Sequence, residues 1–167
     1  MNAKRWTALM LLALAVLAAG CGQKRTKMPE DFSFALVWNV CGDSRYESDS
    51  GVLVKQASAT CAEDYTTQLE LTDRQLRKVW SILEKLDLDS YPDECTPGPV
   101  MTKPPTQMTI TVRTGGAERT VSCRDATGYL HSGEEGKAYV EAMEEIIRLI
   151  CATEEWKALP EYEFLYE

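Results

Sequence analysis

Six cysteines and a single histidine hold most of the reactive chemistry this chain can offer. Five of the cysteines follow Cys21: Cys41, Cys61, Cys95, Cys123 and Cys151, at intervals of 20, 34, 28 and 28 residues. No Cys-x-x-Cys occurs, which argues against a thioredoxin-like redox site and against a zinc ribbon. An odd number allows at most two bridges and leaves one thiol over, and the spacing does not choose the pairs. Structural disulfides, buried free thiols and a thiol-based activity all remain open. His131, in Gly128-Tyr129-Leu130-His131-Ser132, is the one imidazole available to activate Cys123 or Ser132. Neither a nucleophile elbow nor an orienting motif accompanies it, so it reads as a loop residue or an N-terminal staple ahead of a helix. The acidic runs Asp43–Asp49 and Asp87–Glu94 lack the glycine and closing glutamate of a calcium loop and read as solvated turns. No phosphate-binding loop is present. The expectation is therefore no catalytic residue, no metal and no cofactor.

The N-terminal segment carries a different chemistry. Lys4 and Arg5 precede an apolar run from Thr7 to Ala19, which closes on Ala18-Ala19-Gly20 and then Cys21. The run is shorter than the roughly 20 apolar residues of a spanning helix, and its charged start and small-residue end mark an export signal. Leu17-Ala18-Ala19-Gly20-Cys21 resembles the lipobox of bacterial prolipoproteins, although Ala18 stands where that family favours Leu, Val or Ile, and Leu17 lies one step further out. The resemblance implies a diacylglyceryl group on the Cys21 sulfur, cleavage before Cys21 and acylation of the new amino terminus. It divides the chain into a signal peptide at 1–20, a lipidated tether at 21–30 and a single domain at 31–167. Two acyl chains suffice for stable anchoring, and the extended tether reaches about 30 Å. Lys24, Arg25 and Lys27 either rest against anionic headgroups, at about 1 kcal/mol each, or serve only as a soluble spacer. Gly22 in place of Asp permits outer-membrane sorting if the cell has two membranes. The expected location is extracytoplasmic, lipid-anchored to the cell membrane or the outer membrane.

The whole chain has 18 basic and 26 acidic residues. Loss of the signal removes Lys4 and Arg5 and takes the net charge from −8 to −10. That sign excludes a nucleic-acid partner, which needs a basic face, and favours a soluble acidic surface.

The positioning elements follow from periodicity. Phe32, Phe34, Leu36, Trp38 and Val40 alternate along a strand, Gly51–Ala57 forms its hairpin partner, and Gly42–Ser50 is the loop between them. A third strand is placed at Thr66–Leu71. Thr72-Asp73-Arg74-Gln75 reads as a capping box, opening a helix to about Leu88 with Leu76, Val79, Trp80, Leu83 and Leu86 as its apolar stripe. Five prolines between Tyr91 and Pro105 rule out a helix or a central strand there. Met108, Ile110 and Val112 alternate up to Gly115-Gly116, a tight turn, and the chain returns through Arg119–Cys123. Ser132-Gly133-Glu134-Glu135 reads as a second capping box, for a helix to about Ala152 that buries Tyr139, Met143, Ile146 and Ile150. Gly136 weakens its first turn by up to about 1 kcal/mol. A last turn at Glu154–Lys157 ends before Pro160, and Glu161–Glu167 docks along the domain.

This order predicts an α+β two-layer domain, with an antiparallel sheet of four to five strands from two hairpins packed against two helices. Together with the ending Trp156-Lys157-Ala158-Leu159-Pro160, it is similar to small extracytoplasmic domains of bacterial lipoproteins that repeat a hairpin-plus-helix unit. That resemblance supplies no active site. The functional expectation is a non-enzymatic, membrane-anchored binding module that touches an envelope protein or cell-wall component through exposed sheet or through residues 92–105. The alternative is an extracytoplasmic thiol-redox or hydrolytic protein that uses an unpaired cysteine.

Overall fold

The computed structural model describes residues 27–40, 44–58, 64–96, 98–99 and 103–161. The proposed signal, Cys21, Cys41, Cys61 and the tail from Tyr162 onward lie outside the described residues.

The fold is α+β, with one seven-stranded sheet and four helices among the described residues. The strands are β1 (Ser33–Trp38), β2 (Ser44–Glu47), β3 (Val52–Lys55), β4 (Tyr65–Gln68), β5 (Glu94–Cys95), β6 (Met108–Thr114) and β7 (Ala117–Cys123). The helices are α1 (Asp73–Leu86), α2 (Ala126–Leu130), α3 (Glu134–Cys151) and α4 (Glu154–Ala158), with a 3-10 turn at Leu88–Ser90. Strand order is β4-β3-β2-β1-β6-β7-β5. All neighbours are antiparallel except β5 and β7.

The sheet is larger than the four to five strands expected, for two local reasons. Ser44–Glu47, assigned to a loop, is a strand whose polar composition hides its alternation: Ser44 and Tyr46 are buried while Arg45 and Glu47 are exposed. Buried Ser44 is tolerated because its hydroxyl accepts from Gln56 N–H at 3.0 Å and Asn39 Nδ2 at 2.8 Å. The second addition is β5, two residues held at the sheet edge, the position that its proline-rich surroundings allow. The third strand also shifts, to Tyr65–Gln68; Leu69 and Leu71 are buried in the link to α1.

β1 pairs with β2 on one side and β6 on the other, and its Phe34, Leu36 and Trp38 point into the core. Against them lie Val79, Ile82, Leu83 and Leu86 of α1 and Tyr139, Met143, Ile146 and Ile150 of α3. All four residues expected to line α3 are fully buried. The α1 stripe is rotated slightly: Ile82 is buried, while Leu76 and Trp80 are partly buried. Trp80 meets the Phe32 ring edge-on at 5.1 Å, as an aromatic pair prefers. Thr72 and Gln75 form the expected reciprocal cap. Trp38 packs on Trp156 at 5.6 Å and seats α4. Gly115 and Gly116 turn the β6–β7 hairpin with φ of +60° and +75°, a conformation costly for residues bearing a Cβ.

The second capping box does not form. Gly133 is the N-cap of α3 and makes no side-chain cap bond; the Ser132 hydroxyl instead donates to Tyr129 O at 2.6 Å. Gly136 has a positive role that helix propensity conceals. It is buried, and a Cβ there would fall on the Tyr129 carbonyl and the Ser132 hydroxyl, so its small size lets α3 approach α2.

Gly136→Ala is therefore expected to destabilise by about 1–2 kcal/mol, because overpacking against backbone outweighs the gain in helix propensity. A lower urea midpoint with unchanged slope is the readout; an increase would show that α2 yields freely. A second expectation concerns alkali. Burial pushes the Tyr46 phenol, whose hydroxyl donates to Leu69 O at 3.2 Å, up to about 12. A phenol with a raised native pKa stabilises fully below the unfolded value of about 10 and loses that contribution as pH climbs through the native value. Unfolding at fixed urea should become easier between about pH 10 and 12, and less so in Tyr46→Phe.

Candidate dithiol site

The parallel pairing of β5 with β7 sets Glu94 opposite Ser122 and Cys95 opposite Cys123. Two cysteines that sequence separates by 28 residues thus stand side by side at one edge of the sheet. Cys123 continues the inward phase of β7 after Val121, faces Met108 across the hairpin and is fully buried. Cys95 is 5% exposed.

Arg119 holds the short strand in place. From β7 its guanidinium donates to Leu88 O at 3.3 Å, to Tyr91 O and to the Asp93 carboxylate, while also reaching Thr120 O at 3.2 Å. Ser122 N–H donates to Asp93 O at 2.8 Å. Arg124 and Glu94 add an ion pair at 3.1 Å, but both side chains are well exposed and such a pair contributes little. The prolines prevent a longer strand, so Arg119 supplies the fastening that a ladder of backbone bonds would otherwise provide.

Three tyrosines roof the pair. Tyr139 lies 5.7 Å from Tyr91 and 5.8 Å from Tyr129, centroid to centroid. Its buried hydroxyl is shared between Val121 O at 3.0 Å and Met108 O at 3.2 Å. The Tyr91 hydroxyl donates to Glu135 O at 3.1 Å. The Tyr129 hydroxyl donates to Glu135 Oε1 at 3.4 Å. Burial raises all three phenols above their ordinary value.

The two sulfurs are inequivalent. A hydrogen bond from the Cys123 thiol is the main influence that lowers the Cys95 pKa; the Tyr129 hydroxyl and Arg119 charge act in the same direction, against burial and the Glu135 charge. The neighbouring Cys95 sulfur and burial push Cys123 upward. Cys95 is the sulfur that ionises first, and Cys123 the one that keeps its proton.

The other expected residues are not gathered here. Cys151, at the end of α3, is half-buried, and burial pushes its thiol up to about 11, with Lys55 acting in the opposite direction. His131 is exposed at the end of α2, whereas Cys123 is fully buried. Asp49 of the first acidic run pairs with Arg113 at 3.7 Å, and Asp93 of the second with Arg119. Among the described residues no group of His, Cys, Asp and Glu is arranged to hold a metal, and Cys95, Cys123 and Cys151 are free thiols. Sequence carried one usable signal for the site, the inward phase of Cys123. Nothing local marks Glu94-Cys95 as a strand.

No family model matches the chain, and no curated protein matches it.

Arg119→Met removes the clasp while keeping the apolar stem. Hydrogen exchange at Glu94 and Cys95 is expected to accelerate about tenfold or more, consistent with losing charge-assisted bonds of about 1.5–3 kcal/mol. Unchanged exchange would assign the fastening to the ladder instead.

Proposed function

We propose that the chain is a lipid-anchored, extracytoplasmic, non-enzymatic domain that binds an envelope protein or cell-wall component while held against its membrane. The observation that carries this reading is how soon after Cys21 the chain joins the core. Met28 packs against the core, and Phe32 N–H donates to Pro29 O at 3.3 Å. Asp31 accepts from Gly115 N–H at 2.6 Å, which ties the entry of the domain to the β6–β7 turn. With Cys21 acylated, Met28 follows by seven residues, a reach of at most about 25 Å. The domain then works within a few tens of ångströms of the bilayer, and no helix of the described residues is long and apolar enough to cross it.

The sheet offers a broad contact surface. Ser33, Ala35 and Val37 of β1 share a face with Thr109 and Thr111 of β6 and with Thr120 and Ser122 of β7, all partly exposed. Hydroxyl pairs Thr109–Ser122 and Thr111–Thr120, each at 2.9 Å, make it polar. Tyr91–Cys95, by contrast, is committed to Arg119 and to β7, so the sheet face takes precedence over residues 92–105 as the site to probe. The alternative of thiol or hydrolytic chemistry at an unpaired cysteine draws no support from Cys151, whose thiol is held in its protonated form.

The test is an intact mass and fractionation of the full chain from envelope preparations. The wild type is expected to begin at Cys21, carry acyl chains and sediment with membrane, and Cys21→Ser to be released. Thr111→Glu, on the open face, is expected to stay anchored but lose its crosslinked envelope partner. An unacylated, unprocessed chain in the soluble fraction would sink the reading.

A further inference from the structure

We infer that Cys95 and Cys123, free thiols in this structure, become joined by a disulfide in the exported protein, and that this bond fastens the proline-rich crossing to the edge of the sheet. The pairing is chosen by position. The two residues are direct partners in a parallel ladder, where neighbouring strands run about 4.8 Å apart and paired side chains leave the same face. That separation falls inside the roughly 4.4–6.8 Å between Cα atoms that a disulfide accepts. Both cysteines are buried, so an external thiol has little access to the finished bond. Cys151 stands apart at the end of α3, and Cys41 and Cys61 lie outside the described residues.

The bond needs an oxidant, and the export reading supplies its class: a protein disulfide on an envelope thiol oxidant. The Cys95 thiolate attacks one sulfur of that disulfide. The oxidant's S–S bond breaks, its other sulfur leaves as a thiolate and takes up a proton, and a mixed disulfide forms. Cys123, deprotonated as it attacks, then displaces the oxidant from the Cys95 sulfur. The chain loses two electrons and two protons, and the oxidant leaves as a dithiol. The order follows from position, since Cys95 lies on the edge strand β5 and Cys123 on β7 inside it, and Cys95 is also the thiol whose pKa is lowered. Access comes while β5, an edge strand of two residues, is not yet docked.

This inference rests on export for its oxidant, so its test separates pairing from compartment. Full-length chain extracted from membranes is alkylated without reduction and digested with trypsin. The expected product is Leu86–Arg113 linked to Thr120–Arg124, each peptide containing one cysteine. The same chain, reduced and then exposed to oxidised glutathione, is expected to give the same product, with a melting temperature roughly 10 °C above the reduced form. Cys95→Ala/Cys123→Ala is expected to lose that difference. A linked product in vitro from a chain that is fully alkylated at both positions after extraction would uphold the pairing and overturn export. Alkylation of both residues under both conditions, or linkage of either to another cysteine, would overturn the pairing.

Discussion

The hydroxyl of Tyr139 is the constraint on which most of this fold turns. It is fully buried on α3, and a buried hydroxyl is costly unless it is hydrogen-bonded. The acceptors within reach are the carbonyls of Met108 and Val121, one on each arm of the β6–β7 hairpin. Satisfying that group restricts both the slide and the rotation of α3 over the sheet. Met143, Ile146 and Ile150 then fall one turn after another onto the strands. The same ring contacts Tyr91, at the start of the proline-rich crossing, and Tyr129, in α2. Packing around one phenol therefore sets the position of the crossing, of the short helix and of the two thiols beneath them.

The edges of the sheet are managed by unequal means. On one side, β5 is short, flanked by prolines and held from the side by Arg119, and this combination presents little free ladder to another chain. The other edge is β4, whose Thr66 and Gln68 are exposed and polar. Neither edge presents a long apolar strand. The broad face formed by β1, β6 and β7, lined with hydroxyls and short side chains, is the surface left for recognition in the anchored reading. Asp31 ties the chain just ahead of β1 to the Gly115 turn at one end of the hairpin.

Where the chain's own periodicity was strong, expectation and structure agree closely. The cap at Thr72, the Gly115-Gly116 turn and the α3 stripe are all local patterns, each specified by residues within a few positions of one another. Disagreement came where the deciding partner is distant. Ser44–Glu47 looks like a loop until β1 and β3 flank it. Ser132 has the composition of a helix cap, but the Tyr129 carbonyl takes its hydroxyl. Gly136 scores poorly for a helix, yet α2 leaves no room for a larger residue.

The amino-acid sequence by itself determined the α+β class, the two principal helices, the central hairpin, the acidic character and the likeness of residues 17–21 to a lipidation signal. These depend on composition and on short-range order, which a linear chain displays openly. Tertiary structure alone decided that Cys95 meets Cys123, that Arg119 fastens the crossing, and that β5 runs parallel to β7 at the edge. Such contacts join segments across tens of residues, and no local pattern encodes them. They are chosen by which arrangement satisfies the buried hydroxyls of Tyr139 and Ser44 and the half-buried guanidinium of Arg119 while closing the apolar core.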